Sequence, residues 1–279
     1  MVEMRSIVAG LALVVVLGAM PLAASAAAAE RLAALLRIDE VLEILREEGI
    51  AHGVGIGEAL LVPGAGSGWA ATVARVHDPD TLRRDMMAGF ADGLPGDVAQ
   101  LDQMEEALGS ALGQRVVALE LGARRAMLEP DIDEAARLSW AAQAAEGGPR
   151  VDALRRFVEV GDLLERNVAG GLNATMAFYL GLAETGAAPG GMNEADLLAD
   201  VWGQEPAIRA EVEEWLNAYL ALAFSPLPVE DLEAYVDFFA TPEGQALNAA
   251  LFAGFNRMFE AVSRSLGRAA GMMAQGEDL

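Results

Sequence analysis

Two apolar stripes at helical pitch, parted by one built-in break, run from Leu227 to Phe259 and commit that part of the chain to a helical hairpin. Val229, Leu232, Val236 and Phe239 recur three and four residues apart, so they share one helix face, and Tyr235 and Phe238 widen it. Thr241-Pro242-Glu243 then supplies the corner. Thr241 can accept from the unpaired N–H groups of a new helix, Pro242 lacks the N–H that would be wasted at the first position, and Glu243 suits the positive helix end. Gly244 follows where two backbones can approach closely. Leu247, Leu251, Phe255, Met258, Val262 and Leu266 resume the stripe.

The order of these features, P-V-E-D-L from Pro228, the aromatic pair Phe238-Phe239 and then T-P-E-G-Q, resembles the bacterial family known as domain of unknown function 2059. The resemblance is clear from Pro228 to Leu251 and looser beyond. It implies an all-helical exported protein with a signal peptide, and it implies no catalytic residues. Phe238, Phe239, Thr241, Pro242, Gly244 and Gln245 carry it, and their expected role is hairpin packing and corner geometry.

A second corner of the same kind lies upstream. Aligning Gly113-Gln114 with Gly244-Gln245 gives an offset of 131 residues, which also sets Leu101 on Leu232, Leu108 on Phe239, Ser110 on Thr241 and Val116 on Leu247. The helices before each corner align more loosely, with Ile38, Val41, Ile44 and Leu45 opposite Phe157, Val160, Leu163 and Leu164 at an offset of 119. The expectation is an all-α multi-helix bundle built from two divergent copies, residues 27–146 and 150–279, meeting at Glu146-Gly147-Gly148-Pro149.

Residues 1–26 read as a signal peptide. Arg5 is followed by an apolar run from Ile7 to Met20 and by Ala24-Ser25-Ala26, which offers a cleavage site after Ala26. The run is short for a membrane span, so the expected address is the periplasm or the exterior. A helix is expected from Glu30 to Glu48, ended by Gly49. The glycine-rich segments H-G-V-G-I-G and P-G-A-G-S-G then read as linkers, since neither is followed by the Lys-Ser/Thr of a phosphate loop. Gly170-Gly171 reads as a turn, His77-Asp78-Pro79-Asp80 as a surface turn with an aspartate cap, and Glu120 with Arg124 as an ion pair along one helix face.

Composition narrows function by exclusion. A formal charge of −23 opposes nucleic acid and anionic membrane surfaces, and the absence of cysteine removes disulfides, thiol nucleophiles and thiolate metal sites. With two histidines and no nucleophile motif, no catalytic or metal site is expected, and no cofactor. The leading expectation is a non-catalytic exported protein that binds another protein at the cell envelope. The alternative is a carrier of an apolar small molecule or lipid held between the two copies, with Met176, Phe178, Trp215 and Tyr219 as lining. A contiguous apolar cavity discriminates in favour of the carrier, and an exposed apolar patch in favour of a protein partner. The corner reading makes its own prediction: Gly244→Val crowds the hairpin, lowering the thermal midpoint, and an unchanged midpoint would contradict it.

Overall fold

The computed structural model describes residues 20–60 and 66–275. The first part of the expected signal peptide, the start of P-G-A-G-S-G and residues 276–279 of the tail lie outside the described residues. Within them the protein is all-α, with no strand and thirteen α-helices. The first half holds α1 (Met20–Leu35), α2 (Ile38–Leu60), α3 (Gly66–Val76), α4 (Pro79–Gly93), α5 (Val98–Gly109), α6 (Ala111–Ala126) and α7 (Pro130–Glu146). The second holds α8 (Pro149–Val160), α9 (Leu163–Glu184), α10 (Glu194–Gly203), α11 (Glu205–Phe224), α12 (Val229–Phe239) and α13 (Pro242–Ala274). Gly147 and Gly148, at φ 72° and 113°, form the joint between the halves. Among the described residues no helix is long and apolar enough to cross a membrane.

The two corners use the same bonds. Ser110 Oγ accepts from Gly113 N at 3.0 Å and Thr241 Oγ1 from Gly244 N at 3.1 Å, which caps α6 and α13. Each hydroxyl also donates back at 2.7 Å, Ser110 to Ala107 O and Thr241 to Phe238 O. Gln114 Nε2 donates to Leu108 O at 2.9 Å and to Leu35 O at 3.0 Å. Gln245 Nε2 donates to Phe239 O at 2.6 Å and to Val160 O at 2.8 Å. Each glutamine therefore ties its corner to the end of an earlier helix, α1 or α8. A Cβ at Gly113 or Gly244 would collide with the main chain of the helix before the corner.

Those helix ends fix the register that periodicity left open. Arg37 (φ 54°) and Asp162 (φ 51°) each take a left-handed conformation just before α2 and α9. The interval between them is 125 residues, which sets Leu32 opposite Phe157, both buried, whereas the apolar stripes align at 119. Apolar stripes recur every three or four residues and so match at more than one offset; the left-handed residue and the glutamine tether do not.

Several glycines expected to break helices lie inside them. α2 passes through Gly49, Gly53 and Gly55, and α9 through Gly170-Gly171. The reason is close packing: a Cβ at Gly49 would sit 2.5 Å from His77 Nε2, and one at Gly53 2.7 Å from Val73 Cγ1. His77 is accordingly not a surface-turn residue. It is 5 % exposed, with Nδ1 2.8 Å from Val73 O, and burial lowers its pKa. Asp78 does cap α4, accepting from Thr81 N at 3.0 Å.

The halves exchange core residues. Leu247, Ala250 and Met258 of α13 pack with Leu32, Leu82, Met86 and Phe90 of the first half. Val116 of α6 joins Phe157, Phe224, Leu232, Val236 and Phe239 in the core of the second. Phe238 borders both clusters, which seats the corner between them.

Because the α2 glycines differ in what lies above them, they should respond differently to a methyl group. Gly49→Ala and Gly53→Ala are expected to lower stability by about 1–3 kcal/mol through overpacking. Gly55→Ala, with open space around its Cβ position, should raise it by about 0.5–1 kcal/mol through helix propensity. Denaturant titrations of the three variants check this, and equal shifts would refute the packing account.

Candidate functional site

Small residues on the inward face of α9 leave space where the two halves meet. Gly170 lies against Asn256 of α13, Gly171 against Ile208 of α11, and Ala174 faces the interior. Around them α2, α6, α9, α11, α12 and α13 enclose a mainly apolar cavity of about 620 Å³. A second cavity of about 640 Å³ lies toward His52 and His77. The two share Leu45, Glu48, Arg124, Ala174 and Phe259 as walls, so they adjoin, and both open to solvent.

Of the lining residues expected from the sequence, Trp215 and Tyr219 border the first cavity and Phe178 the second. Met176 borders neither. It lies on the other side of α9, packed against the Val168, Leu172 and Val201 cluster, because residues two apart on a helix point in widely different directions. The corner residues Phe238, Thr241, Pro242, Gly244, Gln245, Gly113 and Gln114 are structural supports. Phe239 alone among them also touches the first cavity.

One cavity wall is a stack. The Trp215 and Tyr219 rings lie 5.0 Å apart and nearly parallel at 7°, and the Arg124 guanidinium sits 4.7 Å from the Trp215 ring. Arg124 also donates to Glu48 Oε2 at 2.6 Å. The expected Glu120–Arg124 pair is thus replaced by an interhelix pair. Arg124 turns toward α2 and Trp215, and Glu120, one turn earlier on α6, is left in the cavity wall.

Glu120 is the residue that pattern reading missed. Among the described residues nothing hydrogen-bonds to its carboxyl, and the surface it retains opens on the cavity. Its main-chain oxygen takes the Tyr219 hydroxyl at 3.2 Å. Burial pushes the Glu120 carboxyl up to about 7. Burial, and then the nearby Glu120 charge, push the Tyr219 and Tyr235 phenols upward, so both remain protonated at neutral pH. The signal was present in the sequence. Gly113, Val116, Val117, Glu120, Leu121 and Arg124 fall at helical spacing, which sets a carboxylate on an apolar stripe.

Among the described residues no group of three or more His, Asp or Glu side chains is placed to hold a metal ion. No protein-family model, curated protein or solved structure matches the chain.

The raised Glu120 pKa carries a stability consequence. An acid that titrates near 7 when folded, against 4.5 in its ordinary state, binds more protons folded than unfolded between those values, so stability falls as pH rises through that window. Glu120→Gln is expected to stabilise the protein by about 1–3 kcal/mol at pH 8 and to be close to neutral at pH 4.5. Denaturant titrations of both forms at the two pH values read this directly. A difference that does not change with pH would mean that the carboxyl titrates normally.

Proposed function

We propose that this protein is a non-catalytic helical carrier that holds an apolar small molecule between its two halves. The observation that carries the reading is the pair of adjoining cavities, each within the size range of small-molecule sites, with mainly apolar walls and few polar groups. Such a cavity is the feature that separates carriage from docking of a protein partner, so carriage stands first.

A protein partner at the cell envelope is the second reading, and one surface feature favours it. Leu198 and Trp202, one turn apart on α10, are 47 % and 61 % exposed, with Met192 at 37 % just before the helix. The same proposal takes the chain as exported, with cleavage after Ala26. That cut leaves Ala28 and Ala29, at 2 % and 1 % exposure, in the mature core, whereas a cut after Ala29 removes both. Repetition of the corner hydrogen bonds supports descent by duplication, and the Thr241–Gln245 geometry fits a place in the domain of unknown function 2059 family.

Native mass spectrometry of the purified exported form, with capture of partners from the same preparation, separates the two readings. A retained small molecule supports carriage. Ala174→Trp, which puts a large ring where the cavities adjoin, is expected to weaken binding of the apolar fluorophore N-phenyl-1-naphthylamine by about tenfold, or 1.4 kcal/mol. A variant that stays folded and binds the fluorophore as tightly as the parent would count against the site.

A further inference from the structure

The cavity walls present hydrogen-bond acceptors and an acid to the interior, while the positive groups near them are already engaged. The Arg124 guanidinium is held by Glu48 and by the Trp215 face. Arg137, at the rim, is held by Asp133, Glu211 and Glu214. Arg209 is held by Glu165 and Glu205. Arg166, beside the Phe252 ring, lies 3.7 Å from Asp162 and leaves its buried Nε without a hydrogen-bond partner, but it lines neither cavity. Asn167 and Asn248 each donate one amide N–H, to Leu163 O and Gly161 O. The Glu120 carboxyl has no partner among the described residues.

From this arrangement we infer that the ligand is a cationic amphiphile, an apolar chain or ring system bearing one positively charged nitrogen, with Glu120 as its counter-ion. The inference rests on the carrier reading and adds the chemical class of the cargo. A carboxylate or phosphate ligand would meet an acid in an apolar wall whose one lining guanidinium among the described residues, Arg124, is already paired with Glu48, which is unfavourable for an anion. A cation gains a partner there, and the net charge of −23 attracts it from a distance.

The groups facing Glu120 decide how binding responds to pH. Its own helix offers Arg124 and α2 offers Glu48, a pair that is neutral overall. From α11 come Glu211, paired with Arg137, and Tyr219, and from α12 comes Tyr235; both phenols are uncharged in the neutral range. From α8 comes only Phe157, from α9 Asn167, and from α13 Asn248 and Asn256. The two phenols stay protonated between pH 6 and 8, whereas Glu120, with its carboxyl at about 7, ionises there and supplies the counter-charge that the cation requires.

Calorimetry with three probes of equal chain length tests the inference: decyltrimethylammonium, whose charge is fixed, decanol and decanoate. Decyltrimethylammonium should bind the unmodified protein about tenfold more tightly at pH 8 than at pH 6, following the ionised fraction of an acid at 7. Decanol should change little, and decanoate should bind more weakly as pH rises. In Glu120→Gln the pH dependence for the cation should vanish while decanol binding persists, which also shows that the variant is folded. Decanoate binding as tightly as the cation at pH 8, or a cation affinity independent of pH in the unmodified protein, overturns the cationic assignment and leaves the carrier reading standing. Failure of all three probes to bind overturns both.

Discussion

Close approach of α13 to α4 on one side and to α9 on the other is the interaction on which the rest of the fold depends. Both contacts are made main chain to main chain. A Cβ at Gly89 would sit 2.5 Å from Ala253 O, and one at Gly93 2.8 Å from the Ala250 Cα; one at Gly254 would sit 2.8 Å from Met86 O. On the opposite side Gly181 lies against Arg264 and Arg268, and Gly267 against Phe178. Helices that lack side chains at the crossing approach more closely than those separated by leucines, and their dispersion contacts multiply along the seam. α13 belongs to the second half and α4 to the first, so this seam joins the two halves. Glu184, which pairs with both Arg264 and Arg268, adds a polar clamp at the exposed edge.

The cavity follows from the same geometry. Where α9 and α13 are seamed by glycine their main chains touch. Nearer the corners, α13 carries Phe252, Phe255 and Asn256 instead, and α9 carries Gly170, Gly171 and Ala174. Large side chains on one wall and small ones on the other leave a gap that α6 and α11 border but do not fill. Native interiors ordinarily close such gaps because each lost contact costs stability. A half-buried acid with no protein partner among the described residues lines that gap, and both are accounted for if the missing partner is a ligand.

The helical class and the two corners were legible in the residues themselves. Ser110 and Thr241 announce their caps, Pro242 its helix start, and Gly147-Gly148 the joint, because each acts through its own backbone or its nearest turn; the breaks at Leu36-Arg37 and Gly161-Asp162, inside what reads as single helices, were not. The glycines of α2 and α9 were misleading for the converse reason. Gly49 is helical because His77 lies over it and Gly170 because Asn256 does, and neither neighbour is near in sequence. Glu120 was visible on an apolar stripe, yet its spacing from Arg124 gave a simpler reading that depended on where the arginine turned.

What the sequence determined by itself was therefore local: helical pitch, caps, corners, and an absence of cysteine that left packing and hydrogen bonds to hold the fold. What only the tertiary structure decided was which stripes face each other, that Arg124 reaches Glu48 in place of Glu120, and that a cavity remains between the halves. The physical reason is one of range. A cap or a proline exerts its effect within one helical turn, whereas a helix seam, an interhelix ion pair and an unfilled volume exist only after segments far apart in the sequence have met.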